Sequence, residues 1–117
     1  MEPVEVFADF YSPRWGHADR YTFNFSMEQL SIKHGARKCV AIWSETADPT
    51  WQGESLVGTM RNDHITPPDG IEGLIEHLWR EWRDGRFNAE ELQNELTVFT
   101  DYINASTAAK PKTDFWK

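Results

Sequence analysis

A single cysteine, Cys39, excludes an internal disulfide and any cysteine-built zinc site. It lies in the apolar run Cys39-Val40-Ala41-Ile42-Trp43, where a thiol behaves as a small hydrophobe. Basic charge is scarce as well: 12 Lys and Arg stand against 19 Asp and Glu, for a net charge of −7. Neutralising nucleic-acid phosphates requires clustered cations, and here they are scattered, so no nucleic acid is expected as a partner. The same repulsion disfavours an anionic membrane surface. No apolar run approaches the ~20 residues that span a bilayer. The Met1-Glu2-Pro3-Val4-Glu5 start lacks the basic-then-apolar order of a secretion signal, so the expected compartment is the cytoplasm. Reaction motifs are missing too: there is no G-x-S-x-G, no glycine-rich phosphate loop and no EF-hand spacing. No cofactor is expected, and no reaction can be named.

What the chain has in quantity is aromatic surface: six Trp, seven Phe and three Tyr in 117 residues. Large rings each bury much apolar area, so a short chain can build a core from few of them. The length suits one domain, 1–117, and neither a repeat nor a composition shift divides it.

Period-two alternation dominates the first half. Val4, Val6, Ala8 and Phe10 share one face, with Asp9 on the other, and Tyr21, Phe23 and Phe25 alternate with Thr22, Asn24 and Ser26. Ser12 to Asp19 reads as the connecting loop. Ser26-Met27-Glu28-Gln29 has capping-box spacing or marks a bulge before Leu30 to Lys33. Lys38 to Ser44 reads as a strand, and its apolar core Val40 to Trp43 suggests a central strand covered on both faces. Ser55 to Met60 reads as a further short strand, in the long irregular stretch from Glu45 to Gly70.

The second half turns helical. Ile71, Leu74, Ile75, Leu78, Trp79 and Trp82 form an apolar stripe over about 70–84, with Asp69 as the expected cap and Gly85 as the stop. Asn88-Ala89-Glu90-Glu91 caps a second helix over about 89–104, buried through Leu92, Leu96, Phe99 and Ile103. The short link favours an antiparallel helical hairpin, and residues 106–117 read as a loose tail. The expected fold class is α+β: a mostly antiparallel sheet of about four to five strands over residues 4–60, packed on the C-terminal helix pair.

Four constellations are candidates for function. His77 and Glu81, one helical turn apart, can share a metal, or simply pair on an exposed face beside Glu76 and Arg80. Trp15, His17 and Asp19 in the first loop offer a ring, an imidazole and a carboxylate that orients it. Asp48, Asp63 and His64, near Glu45 and Glu54, could converge from the irregular middle, or be turn formers. Trp15, Trp51, Trp79, Trp82 and Trp116 cannot all be central in so small a core, so Trp79, Trp82 and Trp116 point to an interface, unless Trp82 simply covers the helix hairpin and Trp51 pins the long loop.

The segments Pro13-Arg14-Trp15-Gly16 and Tyr21-Thr22-Phe23, followed by Asp48-Pro49-Thr50-Trp51-Gln52-Gly53, resemble small orphan proteins carried on mobile integron gene cassettes. That resemblance implies a compact bacterial accessory protein of the cytoplasm and implies no mechanism. The leading expectation is a non-enzymatic acidic interaction module, either a homodimer or the partner of another, basic protein. The alternative is a small-ligand binder or enzyme, with a pocket formed by Trp15, His17, Trp51, Asp63 and His64. A metal-binding protein using His77 and Glu81 is the third reading.

Overall fold

The computed structural model describes residues 2–67 and 69–108. Its first half is an antiparallel meander of five strands, in the order β1 (Val4–Ser12), β2 (His17–Phe25), β3 (Gln29–His34), β4 (Arg37–Ile42) and β5 (Thr50–Gln52). Val6, Ala8, Phe10, Tyr21, Phe23, Phe25, Leu30, Ile32, Cys39 and Ala41 all face inward and are buried, so the alternation read from the sequence is the register of the sheet. The expected α+β arrangement holds, with five strands.

The hairpin joining β1 and β2 is tighter than the loop expected over Ser12 to Asp19. Gly16, at a φ of 72°, closes it with a bond from its N–H to the Ser12 carbonyl at 2.9 Å. The Ser26 corner is a turn rather than a helix, because the Ser26 hydroxyl and amide both bond to Gln29. β4 is fourth in the sheet and not central: Ile42 is 38% exposed, so its apolar run is covered on one face only.

Three helices follow: α1 (Leu56–Asn62), α2 (Ile71–Arg83) and α3 (Ala89–Ala108). The strand expected over Ser55 to Met60 is α1. Ser55 caps it by accepting the Gly58 N–H, and Glu72 of α2 accepts the Val57 N–H at 3.0 Å. Half of that N-terminal satisfaction comes from a residue 15 positions away, which local reading cannot see. α2 starts from Gly70 in the left-handed region, not from a cap by Asp69. It lies across the inner face, where Trp79 donates to the Ser26 carbonyl at 2.8 Å and Trp82 packs on Phe25.

Asn88 and Glu91 form the expected reciprocal cap of α3, with bonds of 2.8 and 3.2 Å. The helix continues to Ala108, beyond the expected end at 104, since nothing in the run Ala105-Ser106-Thr107-Ala108 breaks it. The rest of the expected tail, including Trp116, lies outside the described residues.

α3 runs along β1 and closes the open edge of the sheet. Gln93 accepts the Phe7 N–H and donates to the Phe7 carbonyl, at 2.8 and 2.9 Å. Asn104 does the same for the Tyr11 N–H and the Asp9 carbonyl. Two amides three turns apart thus satisfy four outward-facing groups of an edge strand that would otherwise template association. Asn104→Ala is expected to destabilise the fold by about 1 kcal/mol. Hydrogen exchange should speed up at Tyr11 and not at Ala8 or Phe10, whose amides face β2; uniform acceleration along β1 would contradict the capping role.

Candidate functional site

Inner-face alternation along β2 does not stop at the core. Phe25, Phe23 and Tyr21 are succeeded on the same face by Asp19 and His17, and Leu30 and Ile32 of β3 by His34. One end of the face is therefore apolar and lies under α2, while the other carries two imidazoles, a carboxylate and a phenol. Beside that end stands the C-terminus of α1, which contributes Asp63 and His64.

These groups form a continuous chain. Tyr21 donates its hydroxyl to Asp63 Oδ2, and His34 Nδ1 lies 2.8 Å from the same oxygen. On its other side His34 Nε2 is 3.4 Å from Asp19 Oδ2, and Asp19 Oδ1 is 3.1 Å from His17 Nδ1. The His34 ring also stacks on Tyr21, with centroids 4.5 Å apart. Each aspartate thus has two partners, and exposure rises from Asp63 and His34 (16% and 19%) to His17 (60%). Ser12, paired across the strands with His17, is buried and its hydroxyl has no partner among the described residues.

His64 enters differently. α1 ends in a Schellman motif: the His64 N–H bonds to the Arg61 carbonyl and the Ile65 N–H to the Met60 carbonyl. His64 occupies the left-handed position at a φ of 59°, the one non-glycine residue with positive φ among those described. α2 ends in the same motif with glycine there, Gly85 at 76°. The His64 ring packs edge-on against Trp15, at a centroid distance of 5.7 Å, and Trp15 is 54% exposed. The Arg14 guanidinium lies 5.5 Å from the centre of the same indole.

Of the five residues expected to line a pocket, the structure groups Trp15, His17, Asp63 and His64 at this end of the sheet. Trp51 is not among them: in β5 it donates to Glu76 of α2 at 3.2 Å. Partial burial raises the Glu76 carboxyl above its usual range, and the Trp51 bond opposes that shift. Asp48 and Glu45 serve Arg80 and Arg83 instead, and Glu54 serves Arg37 and Asn62. Sequence reading missed Tyr21 and His34 as site residues; their shared parity with the core residues of β2 and β3 was the available signal.

The other candidates separate. Trp79 and Trp82 are 0% and 2% exposed, so they build the core and offer no aromatic surface on α2. Glu81 pairs with Arg86, Arg80 with Asp48 and Glu76 with Trp51, while His77 stands exposed, so the one-turn pairs that this helix face could form are not the contacts found. Among the described residues no group of three or more His, Cys, Asp or Glu side chains is placed to hold a metal. Cys39 is buried, which pushes its thiol up to about 11 and leaves it a poor nucleophile. A groove of about 530 Å³ between α3 and β1–β2 is lined by Asp9, Arg20, Gln93 and Thr97. Two of its charged groups occupy one another: Arg20 binds Asp9 and holds that carboxyl below its usual range, while Asp101 of α3 also lines the groove.

The integron cassette protein family matches residues 4–107. The chain belongs to the integron cassette proteins. Among solved structures it is similar to integron cassette protein VCH_CASS3 from the mobile metagenome of V. cholerae, at 38% identity, over 97% of this chain and 96% of that one, with a TM-score of 0.90. The search of curated proteins finds no match. No helix among the described residues of this cassette protein is long and apolar enough to cross a membrane.

Burial first, and then the Asp63 carboxylate beside its hydroxyl, hold the Tyr21 phenol well above its ordinary range. The folded chain therefore keeps a proton that the unfolded chain releases near pH 10. The resulting stability is complete below about pH 10 and falls by up to about 1.4 kcal/mol per pH unit above it. Urea denaturation at a series of alkaline pH values should show this slope in the native chain and its loss in Tyr21→Phe. Equal slopes in the two proteins would remove Tyr21 from the linkage.

Proposed function

We propose that this cassette protein is a small-ligand-binding protein and that the hairpin end of the sheet is its site. The supporting observation is His64. A residue with a Cβ in the left-handed region costs roughly 1–2 kcal/mol, and α2 shows that this chain ends a helix with glycine where nothing else is required. Strain of this kind persists where a side chain has work to do. Here the ring braces a half-exposed tryptophan beside the chain of imidazoles and carboxylates. Such a surface binds through an aromatic wall and a few convergent polar groups.

The variant pair His64→Gly and His64→Ala separates site from scaffold. Relief of strain in His64→Gly is expected to raise stability by about 0.5–1 kcal/mol, while His64→Ala, which keeps the Cβ and loses the ring, gains nothing. Both should weaken any ligand found by thermal shift, where saturation at a hundred times the dissociation constant adds about 2.7 kcal/mol. A net loss of stability in His64→Gly would mean that the ring serves the fold.

A second reading keeps the interaction module and moves its surface. Val98 and Tyr102, one turn apart on α3, are 69% and 67% exposed, and large apolar residues so placed suit contact with a second copy or another protein. Light scattering should then give more than one chain per particle, and Tyr102→Lys should return it to one; a native monomer at high concentration ends this reading for self-association.

A further inference from the structure

The arginines show which ligand the proposed site would take. Seven arginines are present. Arg20, Arg37, Arg80, Arg83 and Arg86 each have a carboxylate partner. In a chain of net charge −7, with carboxylates to spare, such pairing is the expected state. Arg14 and Arg61 alone have no carboxylate partner among the described residues, and both belong to the hairpin end. Arg14 precedes Trp15 and lies over its ring, while Arg61 sits in the last turn of α1, its carbonyl bonded to the His64 N–H.

The aspartates of the site cannot supply the missing partner. Asp63 is held by Tyr21 and His34, and Asp19 by His17 and His34. What remains outward-facing is a guanidinium, the exposed imidazoles of His17 and His64, and the face of Trp15. A guanidinium stacked on an indole keeps its fork of N–H donors free at the rim, the geometry that accepts a carboxylate in bidentate fashion.

The geometry points to a small aromatic carboxylate as the ligand: its ring against Trp15 and His64, and its anion on Arg14. This rests on the binding-site reading above and narrows it to one chemical class. The overall negative charge opposes an anion at long range, but at physiological salt that field is screened within ~8 Å, so the local guanidinium decides.

The test is an NMR titration of the full chain with benzoate, benzyl alcohol and benzylammonium, three ligands of one shape and different charge. Shifts are expected at the Trp15 indole N–H and at the His64 and His17 rings, with benzoate bound about tenfold or more tighter than the other two. Arg14→Gln should bring benzoate down to the level of benzyl alcohol, and Trp15→Ala should weaken all three. Arg14 and Trp15 are exposed, so neither change threatens folding. Benzylammonium or benzyl alcohol binding at the same residues as tightly as benzoate, or benzoate binding unchanged in Arg14→Gln, overturns the carboxylate assignment and leaves the site standing. Absence of shifts at these residues with every probe overturns the binding-site reading, and this inference with it.

Discussion

Register in β2 is the constraint on which both the core and the polar cluster depend. Successive side chains of a strand face opposite ways, so the choice that buries Phe23 and Phe25 also turns Tyr21, Asp19 and His17 inward. A slip of one residue would bring Thr22, Asn24 and Arg20 inward and empty both. Burying large aromatic side chains is worth about 1.5–3 kcal/mol each, and the rings of β2 are among the largest fully buried groups. That apolar energy fixes where the polar residues stand. Tyr21, Asp19, His17 and His34 are thereby positioned on strands rather than on a loop, and the end of α1 brings Asp63 and His64 up to them.

Tyr21 is where the two halves of that face meet. Its ring packs edge-on against Phe10 at 5.0 Å, inside the core, and its hydroxyl reaches Asp63 at the end of α1. A buried phenol needs an acceptor, and leaving its hydroxyl unpaired would cost about 1–3 kcal/mol. Asp63 in turn needs donors, and His34 is the second. The chain of bonds running out to His17 follows from satisfying one buried group after another until the solvent takes over. The same demand for complete satisfaction explains the edge of the sheet, where Gln93 and Asn104 on α3 supply the bonds that a sixth strand would have made.

Much of this was legible because it is periodic or local. The alternation in β1 and β2, the stripe of α2, the cap at Asn88 and the stop at Gly85 are all written within a few residues of where they act. Three features were not. α1 offers only Leu56 and Val57 as strong apolar residues, and Glu72 from another helix helps to start it. β4 carries a continuous apolar run that implies two covered faces, yet the helices cover one. Trp79 and Trp82 looked like surplus because their burial depends on Phe25, Trp43 and the Ser26 carbonyl. The site was half legible for a related reason: Trp15, Asp63 and His64 stand in conspicuous turns and His17 at the first position of β2 beside one, whereas His34 gains its meaning only from strand pairing that sets it beside Tyr21.

The chain carries its own internal standards for what is unusual at the hairpin end. Two helices end in the same hydrogen-bonding motif, one with glycine and one with histidine, so the histidine is set against a sibling at the end of the next helix. Seven arginines share one acidic environment; five pair with carboxylates, and the two that do not fall at the end where the histidine and the exposed tryptophan stand. General propensities account for neither pattern, because the same sequence obeys them elsewhere. A strained residue, an exposed ring and an uncommitted cation each have a bland explanation taken singly. Their coincidence at one end of one sheet face, beyond the reach of the core, is what a binding site explains and packing alone does not.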